Sequence, residues 1–423
     1  MSPEDRMEEY REYPMVTAYD LRASPQRPRR VKMLMRDFIE GNFCSRPPAF
    51  VGGANQRKET IEVNARRTGF ADSLYNPHYG YFSKEAVIFS PGEPFDFPSL
   101  HGSLEFYSEL GRRYASFEDE LDAREPQPNP TRQLWHTPTE LFRPHYGEAI
   151  ARYLVSNYHI QGYPYHDLIV YEMGAGRGTL MLNILDYIRD IDPNVYDRTK
   201  YRVVEISEQL AAQQKAALAG DHAGKVEIIN KSIFDWNETV PSPCFFLAME
   251  VFDNFPHDAI RYDVETEEPM QAVVLIDQSG DFYEFYEPQL DPVAARYFRV
   301  RHAATGGVYP APYAGREMFR RLRKYVPFIG NLSDPEYVPT RLMQFFDILD
   351  RHFPSHRLLA SDFHGLPQAI KGLNAPVVQT RFERRMVTVS TPLVSRSHTP
   401  PPPPFFFHTL QQNCSTSDFS CMY

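Results

Sequence analysis

Four short segments in the middle of the chain are almost wholly apolar, and stretches with helical spacing separate them. The apolar segments are residues 168–171, 201–206, 226–229 and 244–249. Helical spacing covers residues 179–189 and 207–219, with Ser207 as N-cap of the second helix. Continuous apolar strands that alternate with helices are typical of a parallel sheet covered on both faces. The pattern therefore predicts a Rossmann-like α/β sheet with helices on both faces.

Smaller elements are predicted on either side of this core. Residues 31–40 have the spacing of a short amphipathic helix, and 271–286 have the pattern of a β-hairpin that turns at Ser279-Gly280. A fifth parallel strand is expected at 357–363, and one or two further strands at 377–389. The remaining predicted helices are 141–157, 294–301, 316–325 and 341–352.

The same pattern divides the chain into four parts. They are a disordered N-terminal tail at 1–30, a helical and aromatic subdomain at 31–135, a main domain at 136–394 and a disordered Pro-rich tail at 395–423. Residues 41–71 lack any sustained period, so we expect an insertion without a fixed fold there. The β-hairpin and the helices after it form a second expected insertion, at about 265–340.

Composition narrows the classes of function. With 423 residues, 42% of them hydrophobic, the chain can bury a sizeable core, and its net charge of −10 disfavours a nucleic-acid partner. The four cysteines lack metal-ligand spacing, so neither a metal cluster nor a disulfide scaffold is expected. No apolar run is long enough to span a membrane, and the acidic N-terminus shows no transit-peptide pattern.

Three glycines follow the first apolar strand and directly precede a helix. Gly174, Gly176 and Gly178 give the spacing G-x-G-x-G, and Thr179 follows them. A P-loop requires Gly-Lys-Ser/Thr at this point, and a dinucleotide fingerprint requires glycine at position 179. S-adenosyl-L-methionine (SAM) fits better, because its amino group and sulfonium favour carboxylates and carbonyls. Glu172, two residues before the first glycine, supplies such a carboxylate.

Two further acids follow the next two strands. Glu205 ends the second strand, where a carboxylate can accept hydrogen bonds from ribose hydroxyls. NAD and SAM share that requirement, so Glu205 predicts a nucleoside ligand without choosing between them. Asp235 lies just past the third strand and is expected to meet the adenine amino group of SAM.

The segment after the fourth strand carries the candidate acceptor chemistry. Glu250 and Asp253 place two carboxylates at the sheet edge where ligands of parallel sheets bind. They could hold a cationic acceptor, such as a guanidinium, so that its nitrogen faces the methyl group. His257 could accept a proton. We therefore treat Glu250, Asp253 and His257 as the candidate catalytic residues.

At these motifs the sequence resembles the MidA family of class I methyltransferases. The matching segments are YNPHYGYFSK (75–84), TPTELFRPHYGEAIA (137–151), EMGAGRGTLMLNIL (172–185), VEISEQLAAQQ (204–214), EVFDNFPHD (250–258), RLLASDFHGLP (357–367) and PVVQTR (376–381). The resemblance implies a class I methyltransferase fold and a SAM-dependent protein arginine methyltransferase. It also implies a mitochondrial location and a protein substrate such as a respiratory complex I subunit, with a role in assembly of that complex. By position, the implied SAM set is Glu172, Gly174, Gly176, Gly178 and Glu205, with Glu250 and Asp253 near the acceptor.

The chain departs from the family pattern at three places. Met249 stands where the family usually has Asn, the insertion at 41–71 interrupts the match, and a proline run follows Val394. We interpret the last two as translated introns or gene-model errors, a hypothesis that sequencing the messenger RNA across both junctions tests. Two alternatives stay open beside the enzyme. One is an assembly factor that keeps the fold without catalysis or a truncated inactive methyltransferase, and the other is a nicotinamide dehydrogenase.

Overall fold

A computed structural model describes residues 31–36, 86–130, 132–218, 222–263, 266–276, 282–307, 332–362, 376–389 and 408–412. The strands are β1 Val31–Leu34, β2 Ala86–Ile88, β3 Gln133–Trp135, β4 Leu168–Met173, β5 Thr199–Glu205, β6 Val226–Asn230, β7 Cys244–Met249, β8 Asp258–Tyr262, β9 Pro269–Ile276, β10 Phe282–Glu287, β11 Glu336–Val338, β12 His356–Ser361, β13 Pro376–Phe382, β14 Arg385–Val389 and β15 His408–Gln412. The α-helices are α1 Ser103–Asp122, α2 Pro138–Leu141, α3 His145–Gln161, α4 Thr179–Ile191, α5 Pro193–Asp197, α6 Glu208–Ala217, α7 Pro292–Ala304 and α8 Thr340–His352. Short 3-10 helices lie at Phe97–Ser99, Ile233–Asp235 and Phe252–Asn254.

Five parallel strands form the central sheet, in the order β12-β7-β4-β5-β6. The predicted α/β sheet is confirmed, including the fifth strand, since β12 pairs with β7 in parallel register. Strand order reverses between β4 and β7, because β5 and β6 extend the sheet to one side of β4 and β12 extends it to the other. Such a switch point opens a crevice at the carboxyl ends of the strands, where ligands of α/β proteins bind.

Both faces of this sheet are buried. On one face, α3 and α4 pack Leu154 and Ile184 against Val170 of β4. On the other face, α8 contributes Phe345 beside Phe246 of β7. Each large apolar side chain buried in this way contributes about 1.5–3 kcal/mol. The two helical layers therefore fix the sheet, and with it the positions of its strand ends.

A second, antiparallel sheet has the order β1-β9-β8-β11, with β10 paired to β9. The pairing of β9 with β10 confirms the predicted β-hairpin, whose turn at Ser279-Gly280 lies outside the described residues. The amphipathic helix predicted at 31–40 is wrong for Val31–Leu34, which form an edge strand on β9. So short a segment, with three apolar residues among four, fits either period, and pairing with a distant strand decided between them. Residues 37–40 lie outside the described part.

The other predicted helices have clear outcomes where the structure describes them. The helix expected at 141–157 is divided into α2 and α3, because Pro144 follows the end of α2 and serves as the N-cap of α3. The helices expected at 294–301 and 341–352 are confirmed as α7 and α8. The helix expected at 316–325 lies outside the described residues.

The N-terminal and C-terminal parts add small sheets and an aromatic cluster. Phe89 stacks on Tyr114 of α1 at a centroid distance of 4.2 Å, in a cluster under the parallel pair β2–β3. The two strands expected at 377–389 are confirmed as the antiparallel pair β13–β14. The structure differs from the predicted disordered tail at His408–Gln412, which pair with β13. Hydrogen bonding to a strand edge orders residues whose composition alone favours disorder. The domain boundaries themselves stay a prediction.

Candidate active site

The glycine turn lies at the switch point, directly after β4. Gly174, Gly176 and Gly178 have φ values of +68°, +55° and +84°, in the left-handed region that glycine adopts without strain. A Cβ built on Gly176 would lie 3.1 Å from Cδ1 of Ile88, the last residue of β2. The turn therefore favours glycine for its backbone conformation, and a side chain at position 176 would also have to displace Cδ1 of Ile88 slightly. It leaves bare backbone for a ligand.

Glu205 ends β5 next to this turn and is only 3% exposed. Its two carboxylate oxygens accept hydrogen bonds from the backbone N–H of Ser207 at 2.9 Å and from Nε2 of Gln214 at 3.1 Å. Burial raises the pKa of Glu205 to about 7. Each carboxylate oxygen can accept more than one hydrogen bond, so a ribose diol could still bind there.

Gln214, which the sequence analysis missed, connects the two parts of the predicted SAM set. Its Nε2 donates both to Glu205 and to the carbonyl of Gly176, the latter at 2.9 Å, and its side chain is fully buried. A signal was available, because Ser207 starts α6 and a polar residue two turns later can face the end of β5. Only the fold shows that Gln214 reaches the turn.

Glu172 lies inside β4, also 3% exposed, and accepts a hydrogen bond from the Tyr201 hydroxyl at 2.6 Å. Burial raises the pKa of Glu172 to about 7, against the lowering effect of the Tyr201 hydrogen bond. The charge of Glu205 adds a smaller upward effect, so the two carboxylates are near neighbours. The structure thus brings Glu172, Glu205 and the three glycines to one end of the sheet.

Asp235 and His257 are less clearly connected to this centre. Asp235 ends the 3-10 helix after β6 and its side chain is exposed. Its contact with adenine stays a prediction. His257 is buried immediately before β8. Its proton-accepting role also stays a prediction.

The acceptor side of the crevice lies at the ends of β7 and β12. Glu250 has a left-handed φ of +56°, and its backbone N–H donates to the Ser361 carbonyl at 2.7 Å. The backbone N–H groups of Phe252 and Asp253 both donate to Oδ2 of Asp362, at 2.9 and 3.2 Å. Asp362 thus holds the loop that carries the two predicted carboxylates. The sequence analysis missed it, although an acid at the end of a predicted parallel strand is the same signal that identified Glu250.

These carboxylates resist ionisation together. Burial, with a smaller contribution from the charge of Asp362, raises the pKa of Glu250 to about 8. Burial, Asp362 and Glu250 also hold the pKa of Asp253 well above its usual range. Within the described part of the chain, neither Glu250 nor Asp253 forms an ion pair. A cation that entered here would favour their ionised forms and bind strongly.

The described ranges contain neither a candidate metal site nor a candidate membrane span. No group of three or more His, Cys, Asp or Glu side chains there is arranged to hold a metal ion. No helix in the same ranges has the length and apolar character needed to cross a membrane.

The residues present fit SAM. The ribose hydroxyls of SAM require hydrogen-bond acceptors, and the ammonium group of its methionine part requires another. Its close approach to the protein backbone requires small residues. Glu172 and Glu205 are buried acceptors beside a turn in which a Cβ at the middle glycine would contact Ile88. The same chemistry is less suited to a phosphate, which two neighbouring carboxylates would repel.

Comparison with known proteins agrees with this geometry. A family model described as an S-adenosyl-L-methionine-dependent methyltransferase matches residues 149–397, more than half of the chain. The mitochondrial protein arginine methyltransferase NDUFAF7 homolog of Schizosaccharomyces pombe is 25% identical over 315 residues, or 73% of this chain. The protein of the same name in Saccharomyces cerevisiae is 20% identical over 52% of this chain. The matches span 65% and 51% of those two relatives, so the chain covers between half and two thirds of their length.

Solved structures show similarity over parts of the chain. A Burkholderia thailandensis protein bound to S-adenosyl-homocysteine is 17% identical, covers 60% of this chain and 56% of its own, and has a TM-score of 0.35. A second structure from the same organism is 21% identical over 37% of this chain and 38% of its own, with a TM-score of 0.29.

Proposed function

The chain belongs to the MidA family of SAM-dependent methyltransferases, and we propose that it methylates an arginine side chain of a partner protein. The observation that carries this proposal is the acidic acceptor side. Glu250 and Asp253 lie beside Asp362 at the strand ends, and among the described residues no ion pair neutralises Glu250 or Asp253. A guanidinium matches them in charge and can donate to several oxygens at once.

The reaction requires positioning more than chemical assistance from the protein. SAM, held by the glycine turn with Glu172 and Glu205, supplies an electrophilic methyl group. Glu250 and Asp253 would hold the guanidinium and orient one of its nitrogens toward that group. The nitrogen loses a proton when its new bond to carbon forms. The positive charge of the bound guanidinium would favour the ionised form of Glu250, which could then accept that proton.

Location and partner follow from resemblance. Both yeast relatives are named as mitochondrial protein arginine methyltransferases, which supports a mitochondrial location for this chain. The family resemblance also supports a subunit of respiratory complex I as the methylated partner, with a role in assembly of that complex.

A second candidate is a non-catalytic assembly factor. The observation that favours it is Met249, which ends β7 where the family usually has Asn and whose Sδ accepts a hydrogen bond from the Tyr146 hydroxyl at 3.6 Å. A thioether presents no strong donor or acceptor to a substrate. A chain that binds SAM and transfers no methyl group would support this second candidate.

Methyl transfer to paired peptides separates the two candidates. We expect the purified chain to methylate a peptide from a mitochondrial protein at arginine and to leave the arginine-to-lysine version of that peptide unmethylated, as read by mass spectrometry. Asp253→Asn should lower the rate about a hundredfold and leave SAM affinity unchanged, because Asp253 lies on the acceptor side. Asp350→Asn, the same change at an exposed position of α8, is the matched control. An unchanged rate in Asp253→Asn would remove Asp253 from the acceptor site.

A further inference from the structure

Glu140 is a buried acid at the glycine turn that the proposed chemistry does not use. It lies on α2 and is 2% exposed. Its Oε1 accepts a hydrogen bond from the hydroxyl of Thr179, the first residue of α4. Because Thr179 directly follows Gly178, this hydrogen bond places the Glu140 carboxylate beside the turn.

The second oxygen of Glu140 lacks a hydrogen-bond donor among the described residues. Among the described residues it forms an ion pair with the Arg143 guanidinium, whose Nη1 lies 3.8 Å from Oε2, too far for a hydrogen bond. Arg143 instead donates through Nη2 to the carbonyl of Gly92. A buried carboxylate with one hydroxyl donor and one cation that makes no hydrogen bond to it is costly, so a further donor at Oε2 would stabilise it.

Capping of α4 does not account for this placement. The N-cap residue is Gly178, which has no side chain, and the Glu140 carboxylate bonds to the Thr179 hydroxyl rather than to the backbone N–H groups of the first turn. Those groups, at the positive end of α4, remain suited to an anion. The turn therefore offers a buried anion at Glu140 and a positive helix end side by side.

A zwitterion matches both features. The methionine part of SAM carries an α-ammonium and an α-carboxylate on one carbon. We propose that Glu140 binds the α-ammonium group of SAM through Oε2, while the amino end of α4 favours the α-carboxylate. Glu205 is less suited to the ammonium, because both of its oxygens already accept hydrogen bonds from Ser207 and Gln214. This inference rests on SAM binding and not on the arginine acceptor.

Two ligands that differ only in the amino-acid part test the proposal by calorimetric titration. S-adenosyl-homocysteine carries that part, and 5′-methylthioadenosine lacks it. We expect Glu140→Gln to weaken S-adenosyl-homocysteine about tenfold to a hundredfold, the range of a lost charge-assisted hydrogen bond. The affinity for 5′-methylthioadenosine should stay unchanged. Glu148→Gln on α3, the same change at a more exposed position, should affect neither ligand.

Several outcomes would overturn the proposal. Unchanged affinity for S-adenosyl-homocysteine in Glu140→Gln would show that Glu140 makes no contact with the ammonium. An equal loss for both ligands would assign Glu140 to shaping the turn. If Glu140→Gln fails to fold, the wild-type chain provides the test through S-adenosyl-homocysteine that lacks its α-amino group. Full affinity for that analogue would show that no residue holds the ammonium. Binding of neither nucleoside by the folded wild-type chain would remove the SAM site altogether, whereas failure of arginine methylation alone would leave this proposal standing.

Discussion

The two sides of the crevice use the same residue type in opposite ways. At the ends of β4 and β5, Glu172 and Glu205 accept hydrogen bonds from Tyr201, Ser207 and Gln214. At the ends of β7 and β12, Glu250 and Asp253 face Asp362, and repulsion among them adds to the effect of burial. Protein donors bond to both carboxylates of the first pair. In the second pair Asp253 accepts a hydrogen bond from Asn254, and among the described residues no cation neutralises Glu250 or Asp253.

This difference separates two kinds of recognition. Carboxylates that neighbouring donors already orient are rigid acceptors, suited to a neutral diol whose hydroxyls add to an existing network. Carboxylates that raise one another's pKa gain most from a ligand that brings positive charge. The strand order places carboxylates on both sides of the crevice. The donors and charges around each pair of carboxylates determine which ligand that side can bind.

We call the ends of β4 and β5, with the glycine turn, the SAM side of the crevice. A substitution in the turn gives the strongest test of it. Gly176→Val would place a branched side chain at a φ of +55° and against Cδ1 of Ile88. We expect SAM affinity to fall at least about a hundredfold, because backbone strain and crowding both act where the ligand lies against the turn. Titration calorimetry measures the affinity, and circular dichroism checks the fold.

Gly306→Val is the control for strain alone. Gly306 also has a positive φ, +61°, but a Cβ there meets nothing within 4 Å. Gly306→Val should therefore destabilise the chain and leave its affinity for SAM unchanged. Retained SAM affinity in a folded Gly176→Val chain would show that the turn is structural, and the contrast between the two sides would fail.

The central strands could be predicted because strands buried on both faces are continuously apolar. Residues 244–249 were predicted with the bounds that the structure shows. The prediction for β4 ended two residues early, and the prediction for β5 started two residues late and ended one residue late. The strand at Val31–Leu34 could not be predicted, because its state depends on pairing with β9. Local sequence carries no information about that partner.

The candidate site was predictable to the extent that chemistry follows strand ends. Glu205 and Glu250 each follow an apolar run, so their place at the carboxyl edge could be inferred. Asp362 follows β12 and carries the same signal, whereas Gln214 and Glu140 lie on helices, and only tertiary packing brings those two to the crevice. Their burial and hydrogen bonds, which the sequence does not show, distinguish them from ordinary polar residues.

Because burial and charge repulsion disfavour ionisation on the acceptor side, the free energy of unfolding should depend on pH. Glu250 is protonated in the folded chain up to about pH 8, and its ordinary pKa is 4.5. Between these values the folded state binds more protons than the unfolded state, so the free energy of unfolding falls as pH rises. Glu250→Gln replaces this titrating carboxyl with an amide. The decline in the free energy of unfolding should therefore become shallower by up to about 1.4 kcal/mol per pH unit. Urea unfolding across this window measures it.

Glu172 and Glu205 also titrate in the lower part of this window. Their pKa values are raised to about 7, so they contribute to the same decline below that pH. Between about 7 and about 8 the decline that remains comes from the acceptor side, where the raised pKa of Asp253 acts in the same direction as that of Glu250. Glu268→Gln, at an exposed position, is the control and should leave the curve unchanged. If Glu250→Gln follows the wild-type curve, the acceptor side does not differ from the SAM side as we describe.

The smallest expected effect tests how the SAM side is held together. Gln214→Met keeps the length of the side chain and removes the two hydrogen bonds that Nε2 donates to Glu205 and to the Gly176 carbonyl. We expect SAM affinity to fall about threefold to tenfold, or about 1 kcal/mol, because Glu205 loses one of the donors that orient it. Gln213→Met, the same change on the exposed face of α6, should leave affinity unchanged. In a Glu205→Gln background the Gln214→Met effect should largely disappear, since both changes act on one interaction. Fully additive effects in this double-mutant cycle would mean that Gln214 acts on the turn alone and that Glu205 is not oriented by it.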